Sequence, residues 1–423
     1  MRKIKHVNSA GLLFLVVAFI MTGFFLLSFA GEKYDFLALL FAVTAGVLML
    51  AVYVILIKIS RHADRFVIIV ADLLIGIGLL IQYRLNTDNA FRQLLFLVVG
   101  IILMFIIMAL IKNTKFFEYI SWPLMIVSIA VLSVLFFVGK EVGGARNWII
   151  IAGIQFQPSE FVKLAFVVVL ADWLTDRYRF FDLIIPMIFV FMIVGILMLE
   201  RDLGAAVLLF GTSLIMFYVA TGRKGAVLTG VGIGAIGAVG SYYLFDHVKA
   251  RVAIWLNPWA TYTTNGYQIA QGLMAIATGG MWGVGLGVGS PKLIPMYNND
   301  YIFAVICEEF GVIFGILLIA FYLVLVIRGA IIALNATEKF YMLLSFGCTT
   351  IIALQSIIII GGVIKMIPLT GITLPFVSQG GSSMIACLMM LGVLEGVSAR
   401  SGMMLENRMA EIEEEMRTNE NEA

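Results

Sequence analysis

The stretch AGLLFLVVAFIMTGFFLLSF (Ala10–Phe29) is an apolar run without a single charged residue. A helix of about 20 apolar residues is long enough to cross the hydrocarbon core of a membrane. No small-residue cleavage site follows the run, so we interpret it as a retained membrane span and not as a removable signal peptide. Similar runs recur along the chain, and together they predict a polytopic membrane protein.

The composition of the whole chain supports this interpretation. Of the 423 residues, 62% are hydrophobic and only 13% are charged, whereas a soluble domain carries about 25% charged residues. The net charge of +2 and the lack of a basic stretch argue against a nucleic-acid-binding protein. The three cysteines, Cys307, Cys348 and Cys387, lie inside apolar runs, so we interpret them as small core residues.

Apolar runs predict an all-α bundle of about twelve membrane-spanning helices. The predicted ranges are 9–29, 35–57, 66–83, 91–111, 119–138, 160–175, 183–199, 203–220, 225–245, 301–327, 340–364 and 375–398. Every second connection is short and basic, which places these connections and both termini in the cytoplasm. The basic residues are Arg2, Lys3, Lys5, Lys58, Arg61, Arg65, Lys112, Lys115, Arg177, Arg179, Arg223, Lys224, Arg328, Lys339 and Arg400.

The connections on the other side include two long segments, 139–159 and 246–300, rich in Gly, Trp and polar residues. Long loops in a compact fold are usually functional or disordered, and the aromatic residues of 246–300 favour order. Ile269–Ala277 has helical character and is expected to lie along the membrane or to re-enter it. We divide the chain into an N-terminal two-span hairpin (1–65), a membrane core (66–400) and a charged cytoplasmic tail (401–423).

The chemistry of the chain must come from polar residues at the outer ends of the spans. The sequence has no GxxxxGK[ST], HExxH or GxSxG motif and no Cys–His cluster. Charges near the hydrocarbon cost several kcal/mol, roughly 2.5–3.5 on insertion scales, so each is a functional hypothesis. Four outer segments carry them: Gly143–Lys163, Glu200–Gly204, Arg251–Glu309 and Lys365–Ser383.

These segments resemble motifs of the SEDS family (FtsW, RodA, SpoVE) over about 139–400. The matching motifs, in order, are Gly143-Gly144-Ala145-Arg146 with Trp148, Gln157-Pro158-Ser159-Glu160, Asp202-Leu203-Gly204, Asn257-Pro258-Trp259 with Tyr267-Gln268, Asp300 with Ile302-Phe303 and Glu308-Glu309, and Pro368 to Ser383. The resemblance implies a ten-span core in a bacterial plasma membrane. It also implies a glycosyltransferase that polymerises lipid II at the outer face and works with a class B penicillin-binding protein.

The chain departs from the family pattern at four places. Asn147 stands where the family has a second Arg, and Glu200-Arg201 stand where it has Gln-Pro. Asn298-Asn299-Asp300-Tyr301 replaces His-Thr-Asp-Phe, and Gln379 replaces a common Tyr. The two N-terminal spans are additional to the family core.

The resemblance identifies Asp300 as the catalytic aspartate. Joining two lipid-linked sugars needs a carboxylate that accepts the hydroxyl proton and positive charge that stabilises the leaving pyrophosphate. Asp300 lies at the outer mouth of a predicted span, where a carboxylate is suited to this task; the structural alternative is a helix-capping Asp.

The predicted substrate-binding residues surround Asp300 in the outer segments. The cationic candidates for the pyrophosphate are Arg146, Lys163, Arg251 and Lys365, although Arg251 has the alternative role of reaching a lipid head group. The remaining candidates are Asp202, Ser378, Ser382 and Ser383. A divalent cation, Mg²⁺ or Mn²⁺, stays open as a cofactor.

The other carboxylates receive mainly structural interpretations. Glu160 precedes Lys163 by three residues, so the two are expected to pair on one helix face. Glu308 and Glu309 lie too deep to form a close pair with Asp300, and we expect ion pairs within the bundle, with Lys163 or Lys365 as partner; proton or metal handling is the alternative. The glycines of 279–289 permit either phosphate contact through backbone N–H groups or close packing, and packing is favoured.

Two other functions compete with polymerisation. A transporter that moves lipid II across the membrane would need polar groups along the whole crossing, whereas here they concentrate at the outer ends. A catalytically silent scaffold that activates a transpeptidase would fit the altered motif neighbours, but the retained Asp300 argues against it.

Overall fold

A computed structural model describes residues 9–30, 34–142, 145–151, 154–175 and 181–422. The predicted basic residues Arg2, Lys3, Lys5, Arg177 and Arg179 and the motif glycines Gly143 and Gly144 lie outside these residues. The described helices are α1 (Ser9–Ser28), α2 (Phe36–Ile59), α3 (Arg65–Leu85), α4 (Thr87–Asn113), α5 (Phe116–Tyr119), α6 (Ser121–Val138), α7 (Ser159–Thr175), α8 (Ile184–Leu199), α9 (Leu203–Thr221), α10 (Lys224–Leu244), α11 (Asp246–Leu256), α12 (Tyr267–Gly279), α13 (Ile302–Phe310), α14 (Val312–Leu334), α15 (Lys339–Val363) and α16 (Gly381–Glu422).

Ten helices in the described part of the chain are long and apolar enough to cross a membrane. They are α1 to α4, α6, α9, α10, α14, α15 and α16. The helix α8 is apolar but has only 16 residues, and α7 has 17. The predicted helical membrane bundle is therefore confirmed, while the total of about twelve spans remains a prediction.

Side-chain caps fix the start of several spans. Asp35 accepts hydrogen bonds from the backbone N–H groups of Leu37 and Ala38 at the start of α2. Asp202 accepts one from the N–H of Ala205 at the start of α9. The first N–H groups of a helix have no partner within the helix, so a carboxylate at this place both satisfies them and sets the boundary.

Small residues bring α4 and α16 into close contact. A Cβ atom added to Gly392 would lie 2.5 Å from the carbonyl oxygen of Met104, and one added to Gly396 would lie 2.8 Å from Cβ of Ile111. Between helices in lipid, this close approach replaces the hydrophobic effect as the source of association. The helices α3, α15 and α16 are the most deeply buried spans of the bundle.

The predicted span 301–327 is wrong in its bounds. The chain forms the short helix α13, turns at Gly311 and continues as α14 to Leu334. Gly311 has a φ of 87°, and a Cβ atom there would lie 2.3 Å from the carbonyl oxygen of Met281. Only glycine fits both conditions, so the apolar run is interrupted by backbone geometry that hydropathy does not reveal.

The long segment 139–159 contains a small antiparallel sheet, which corrects the all-α prediction. Its strands are β1 (Lys140–Val142), β2 (Ala145–Ile151) and β3 (Ile154–Phe156), in the order β1-β2-β3. Ile149 pairs with Phe156 and Ile151 with Ile154. The second long segment, 246–300, is ordered and contains α11 and α12, and α12 confirms the helix predicted at Ile269–Ala277.

The ends of the helices opposite this sheet are joined by ion pairs. Arg328 on α14 pairs with Asp64, which caps α3. Arg400 on α16 pairs with Glu338 at 3.1 Å and donates to the carbonyl oxygen of Thr114. Connections that are far apart in the sequence therefore meet at one end of the bundle, and these are the connections that the sequence predicts to be basic and cytoplasmic.

Candidate functional site

A cavity of about 330 Å³ opens at the end of the bundle where α7 and α9 begin. The small sheet, the turn between α8 and α9, the helices α11 and α12 and the segments 296–300 and 369–373 enclose it. Its lining includes three acidic and three basic side chains: Glu160, Asp202, Asp300, Lys163, Arg201 and Arg251. A concave site with several convergent charged groups is the expected form of a ligand-binding or catalytic centre.

Asp300 lies in the segment just before α13, and neighbouring elements hold that segment in place. Nε2 of Gln82 donates to the carbonyl oxygen of Asn298 at 2.9 Å. The hydroxyl of Ser378 donates to the carbonyl oxygen of Asn299 at 2.6 Å. The backbone of the two residues before Asp300 is therefore fixed from both α3 and the segment before α16, which orients the carboxylate toward the cavity.

The electrostatic environment of Asp300 suits a proton acceptor. Removal from water raises the pKa of the Asp300 carboxyl to about 6, and the positive charge of Arg251 partly offsets this rise. The Arg251 guanidinium donates to the carbonyl oxygens of Leu369 and Thr370, the latter at 3.1 Å. The next residue, Gly371, lies so close that an added Cβ atom would be 3.7 Å from Oδ2 of Asp300. A carboxyl with this pKa is mostly ionised at pH 7 and is a stronger base than an ordinary Asp.

Asp202 lies in the same cavity with a different set of partners. Its carboxylate caps α9 through the N–H of Ala205 at 3.0 Å and accepts a hydrogen bond from Nδ2 of Asn147 at 2.6 Å. Burial raises the pKa of Asp202, while these two hydrogen bonds lower it. Both carboxylate oxygens of Asp202 thus have partners within the protein, and its predicted substrate contact stays a prediction.

Lys163 and Glu160 form the ion pair that their spacing on α7 predicts. Nζ of Lys163 lies 2.7 Å from Oε2 of Glu160, and both side chains are buried. Lys163 also donates to Oε1 of Gln355 at 2.9 Å. The pair lines the cavity, so Lys163 presents a fixed positive charge whose orientation is set by α7 and α15.

Glu308 and Glu309 hold the glycine-rich segment and do not line the cavity. Oε1 of Glu308 accepts the N–H of Ser290 at 3.0 Å, and Oε2 of Glu309 accepts the N–H of Gly287 at 3.1 Å. Oε1 of Glu309 pairs with Nε of Arg84 at 3.2 Å. The prediction that Lys163 or Lys365 would be the partner of these glutamates is wrong, because Arg84 on α3 approaches α13 from a distant part of the sequence.

The glycines of this segment serve packing and turn geometry. The N–H groups of Val284 and Gly285 donate to the carbonyl oxygens of Glu308 and Glu309. A Cβ atom on Gly283 would lie 2.3 Å from the Glu309 carbonyl oxygen. Since these N–H groups already have partners inside the protein, the packing interpretation is confirmed.

Five predicted substrate-binding residues lie outside the cavity lining. Arg146 is exposed, and Nζ of Lys365 lies 3.4 Å from the carbonyl oxygen of Leu256. The three serines are buried and hydrogen-bonded within the protein: Ser382 accepts the N–H of Gln157, Ser383 bonds to Thr373, and Ser378 bonds as described above. The serine hydroxyls hold segments around the cavity, and direct substrate contact by these serines stays a prediction.

Sequence reasoning assigned no role to three glutamines that support the site. Gln82, Gln157 and Gln355 position the Asp300 segment, Asp202 and Lys163, respectively. Gln82 and Gln355 interrupt apolar runs that are otherwise spans, and a polar residue in a membrane segment is a signal that could have found them. In the described ranges, no group of three or more His, Cys, Asp or Glu residues is arranged to hold a metal ion.

Comparisons with known proteins agree with this architecture. The family model FTSW_RODA_SPOVE, described as a cell cycle protein, matches residues 64–402. Stage V sporulation protein E of Bacillus subtilis is 37% identical over 361 residues, with 80% of this chain and 97% of that protein covered. Peptidoglycan glycosyltransferase RodA of Mycobacterium tuberculosis is 32% identical over 370 residues, with 81% and 79% covered.

Solved structures share the fold. A chain from a peptidoglycan synthase complex that coordinates polymerization and crosslinking superposes with a TM-score of 0.70 at 26% identity, over 80% of this chain and 98% of that one. Thermus thermophilus RodA superposes with a TM-score of 0.61 at 24% identity, over 79% and 96%. The match to the family model over four fifths of the chain and the likeness to these relatives show that this protein belongs to the FtsW/RodA/SpoVE family of membrane proteins.

Proposed function

We propose that this protein is a peptidoglycan glycosyltransferase that polymerises lipid II, with Asp300 as its catalytic base. The names of its relatives, peptidoglycan glycosyltransferase RodA and probable peptidoglycan glycosyltransferase FtsW, support the activity. The observation that carries the assignment of the base is the Asp300 carboxyl, which has a pKa of about 6 and shares a charged cavity with Arg251.

The reaction uses both an acidic side chain and the basic side chains of the cavity. The acceptor hydroxyl oxygen forms a bond to the anomeric carbon of the donor sugar, and its proton moves to the Asp300 carboxylate. The bond from the anomeric carbon to the pyrophosphate breaks, and the lipid-linked pyrophosphate leaves with the electron pair. Arg251 and Lys163, with Arg201 at the cavity mouth, supply positive charge that stabilises this leaving group.

The proposed topology puts this cavity at the outer face of a bacterial plasma membrane. The basic connections around Lys58, Lys112 and Arg400 lie at the other end of the bundle, and basic connections stay in the cytoplasm. In this orientation the lipid carrier stays in the outer leaflet while its sugar reaches Asp300. The same reasoning places both termini in the cytoplasm.

The proposed partner is a class B penicillin-binding protein that cross-links the new strand. The support is the likeness to a chain of a peptidoglycan synthase complex that coordinates polymerization and crosslinking. We also propose the division into a hairpin (1–65), a core (66–400) and a tail (401–423), since the family match begins at residue 64 and ends at 402.

The test is strand formation from purified lipid II by the protein with a candidate transpeptidase whose own active site is blocked. Wild type should form long glycan strands, and Asp300→Asn should lose at least about 100-fold in rate, the contribution of a general base. The matched control is Asp88→Asn, the same change at an exposed carboxylate of α4 outside the cavity lining, and it should retain most activity. If an intact complex with wild-type protein forms no strands, lipid II transport by the same protein in vesicles is the function to measure next.

A further inference from the structure

The last helix is much longer than a membrane span. The helix α16 contains 42 residues, a length of about 63 Å, whereas the hydrocarbon core is about 30 Å thick. Its first half is buried in the bundle, and every residue from Leu405 to Asn419 is exposed. The second half therefore stands free of the protein at the end opposite the Asp300 cavity.

The base of this projecting helix is firmly attached. Arg400 pairs with Glu338 at 3.1 Å, and Glu406 pairs with Arg61 and, at 2.8 Å, with Nε2 of His62. These contacts join α16 to the connection between α2 and α3 and to the start of α15. The direction in which the free half leaves the bundle is thus fixed by two connections and does not depend on the tail itself.

One face of the free half carries a row of apolar side chains, which we call the tail stripe: Leu405, Met409, Ile412 and Met416. Their exposed fractions are 50%, 63%, 46% and 54%. The spacing of four, three and four residues is that of the a and d positions of a coiled coil. A helix in water with such a stripe lacks the partner that would bury it.

The charges beside the stripe define the partner that fits. Glu413 and Glu415 occupy the e and g positions that flank it, and Arg408 is the one basic residue among the described flanking positions 406, 408, 413 and 415. In a parallel pair of copies, Arg408 at g would face Glu413 at e of the other helix, but Glu415 would gain no cation, so self-pairing leaves part of the acidic flank uncompensated. The negative cytoplasmic leaflet of a membrane would repel the same flanks. A basic amphipathic helix would bury the tail stripe with its apolar face and place Lys or Arg side chains beside Glu413 and Glu415.

We propose that the tail stripe is a docking site for an amphipathic helix of a partner protein, with apolar residues at a and d and Lys or Arg at e and g. The site is on the side predicted to be cytoplasmic and is separate from the catalytic cavity. It gives the protein a contact to a cytoplasmic partner in addition to the transpeptidase proposed above.

The test uses the full-length protein in nanodiscs of zwitterionic lipid and two fluorescent peptides of about three heptads each. Both peptides have Leu and Ile at a and d; one has Lys at e and g, and the other has Glu there. Fluorescence anisotropy should show saturable binding of the basic peptide and at least tenfold weaker binding of the acidic one. Equal binding of the two peptides would overturn the proposal.

Variants of the stripe test whether the apolar face is the contact. The double variant Met409→Ser/Ile412→Ser should weaken binding of the basic peptide by at least tenfold, because two large apolar side chains no longer become buried. The thermal stability of the protein should not change, since both residues are outside the bundle. An unchanged affinity would overturn the proposal.

A charge-matched pair of variants separates docking from general electrostatic attraction. Glu413→Lys/Glu415→Lys changes the flanks of the stripe, whereas Glu411→Lys/Glu414→Lys makes the same change on the outer face. The first should reverse the preference in favour of the acidic peptide, and the second should leave the basic peptide preferred. Equal effects would show diffuse attraction and overturn the proposal.

Other occupants of the stripe would give distinct results. If deletion of residues 2–8 tightens binding of the basic peptide severalfold, the basic N-terminus of this chain already covers the stripe. If size measurement shows a dimer that Met409→Ser/Ile412→Ser dissociates, a second copy covers it. Either result would overturn the assignment to a separate partner protein.

Discussion

Replacement of Arg251 by Gln should move the acid limb of the polymerisation rate to higher pH. The limb reflects protonation of Asp300, whose pKa is about 6 because burial raises it and Arg251 lowers it. An adjacent Arg lowers the pKa of an Asp by about one to three units. Arg251 also faces Asp202, so we take the low end of this range and expect the pKa of Asp300 to rise to about 7.

The expected magnitudes follow from the ionised fraction of Asp300. In wild type this fraction falls from about 91% at pH 7 to about 9% at pH 5, so the rate should fall about tenfold. At pH 6.5 the ionised fraction should be about 75% in wild type and about 25% in Arg251→Gln, a threefold difference from ionisation alone. Activity is present above the pKa and is lost below it, because the base must be unprotonated.

The assay is the initial rate of strand formation from lipid II between about pH 5 and pH 8.5, which brackets the pKa of Asp300. The control is Arg251→Lys, which keeps the positive charge and should keep the limb near pH 6 even if its rate is lower. The position of the limb, and not its height, is the readout, since loss of pyrophosphate binding lowers the rate at every pH. An unshifted limb in Arg251→Gln would refute the assignment of Asp300 as the titrating base.

Three further predictions concern the scaffold. Arg84→Met should destabilise the protein by about 3–5 kcal/mol, because it leaves the buried Glu309 carboxylate without its cation; thermal unfolding in detergent measures this, and an unchanged Tm would contradict the pairing. Gly311→Ala should be poorly folded because its φ of 87° and its crowded surroundings exclude a Cβ atom, whereas Gly195→Ala, with nothing within 4 Å, should fold normally; equal Tm values would refute the steric argument. Burial raises the pKa of Glu200 to about 8 from 4.5, so the folded state holds a proton that the unfolded state loses, and stability falls as pH rises from 4.5 to about 8. Glu200→Gln should remove this decline, and its Tm should exceed that of wild type at pH 8 but not at pH 4.5, as scanning calorimetry can measure.

Hydropathy was sufficient to predict the helical bundle because the membrane interior imposes one simple requirement on the sequence of a span. Each span needs a continuous apolar run, and such runs predicted the spanning helices to within a few residues in most cases. The prediction failed at Gly311, where an apolar run contains a turn that depends on contact with Met281. It also failed for the small sheet, since strands of three residues are too short to show an alternating pattern.

In the candidate site and its surroundings, contacts within one helix were predictable from the sequence, and contacts between helices were not. The pair Glu160–Lys163 was predictable because residues three apart share one helix face. The pair Arg84–Glu309 was not, because it joins helices whose relative position no local pattern encodes. The cations considered for Glu309 from the sequence were Lys163 and Lys365, and only the structure showed that Arg84 is the partner.

Two of the departures from the family pattern, Asn147 and Arg201, lie in the lining of the cavity. Asn147 stands where the resemblance implies an Arg, and its side chain holds Asp202 at 2.6 Å. Arg201 stands where the pattern has Pro, and it lines the same cavity as Asn147. One cation is therefore missing on β2 and another is present at the turn before α9. The guanidinium of Arg201 lies 3.6 Å from Oε1 of Glu141 at the edge of the cavity. Despite the departures, Asp300 still shares one cavity with Arg251, Lys163 and Arg201, and this arrangement favours the proposed polymerase over an inactive scaffold.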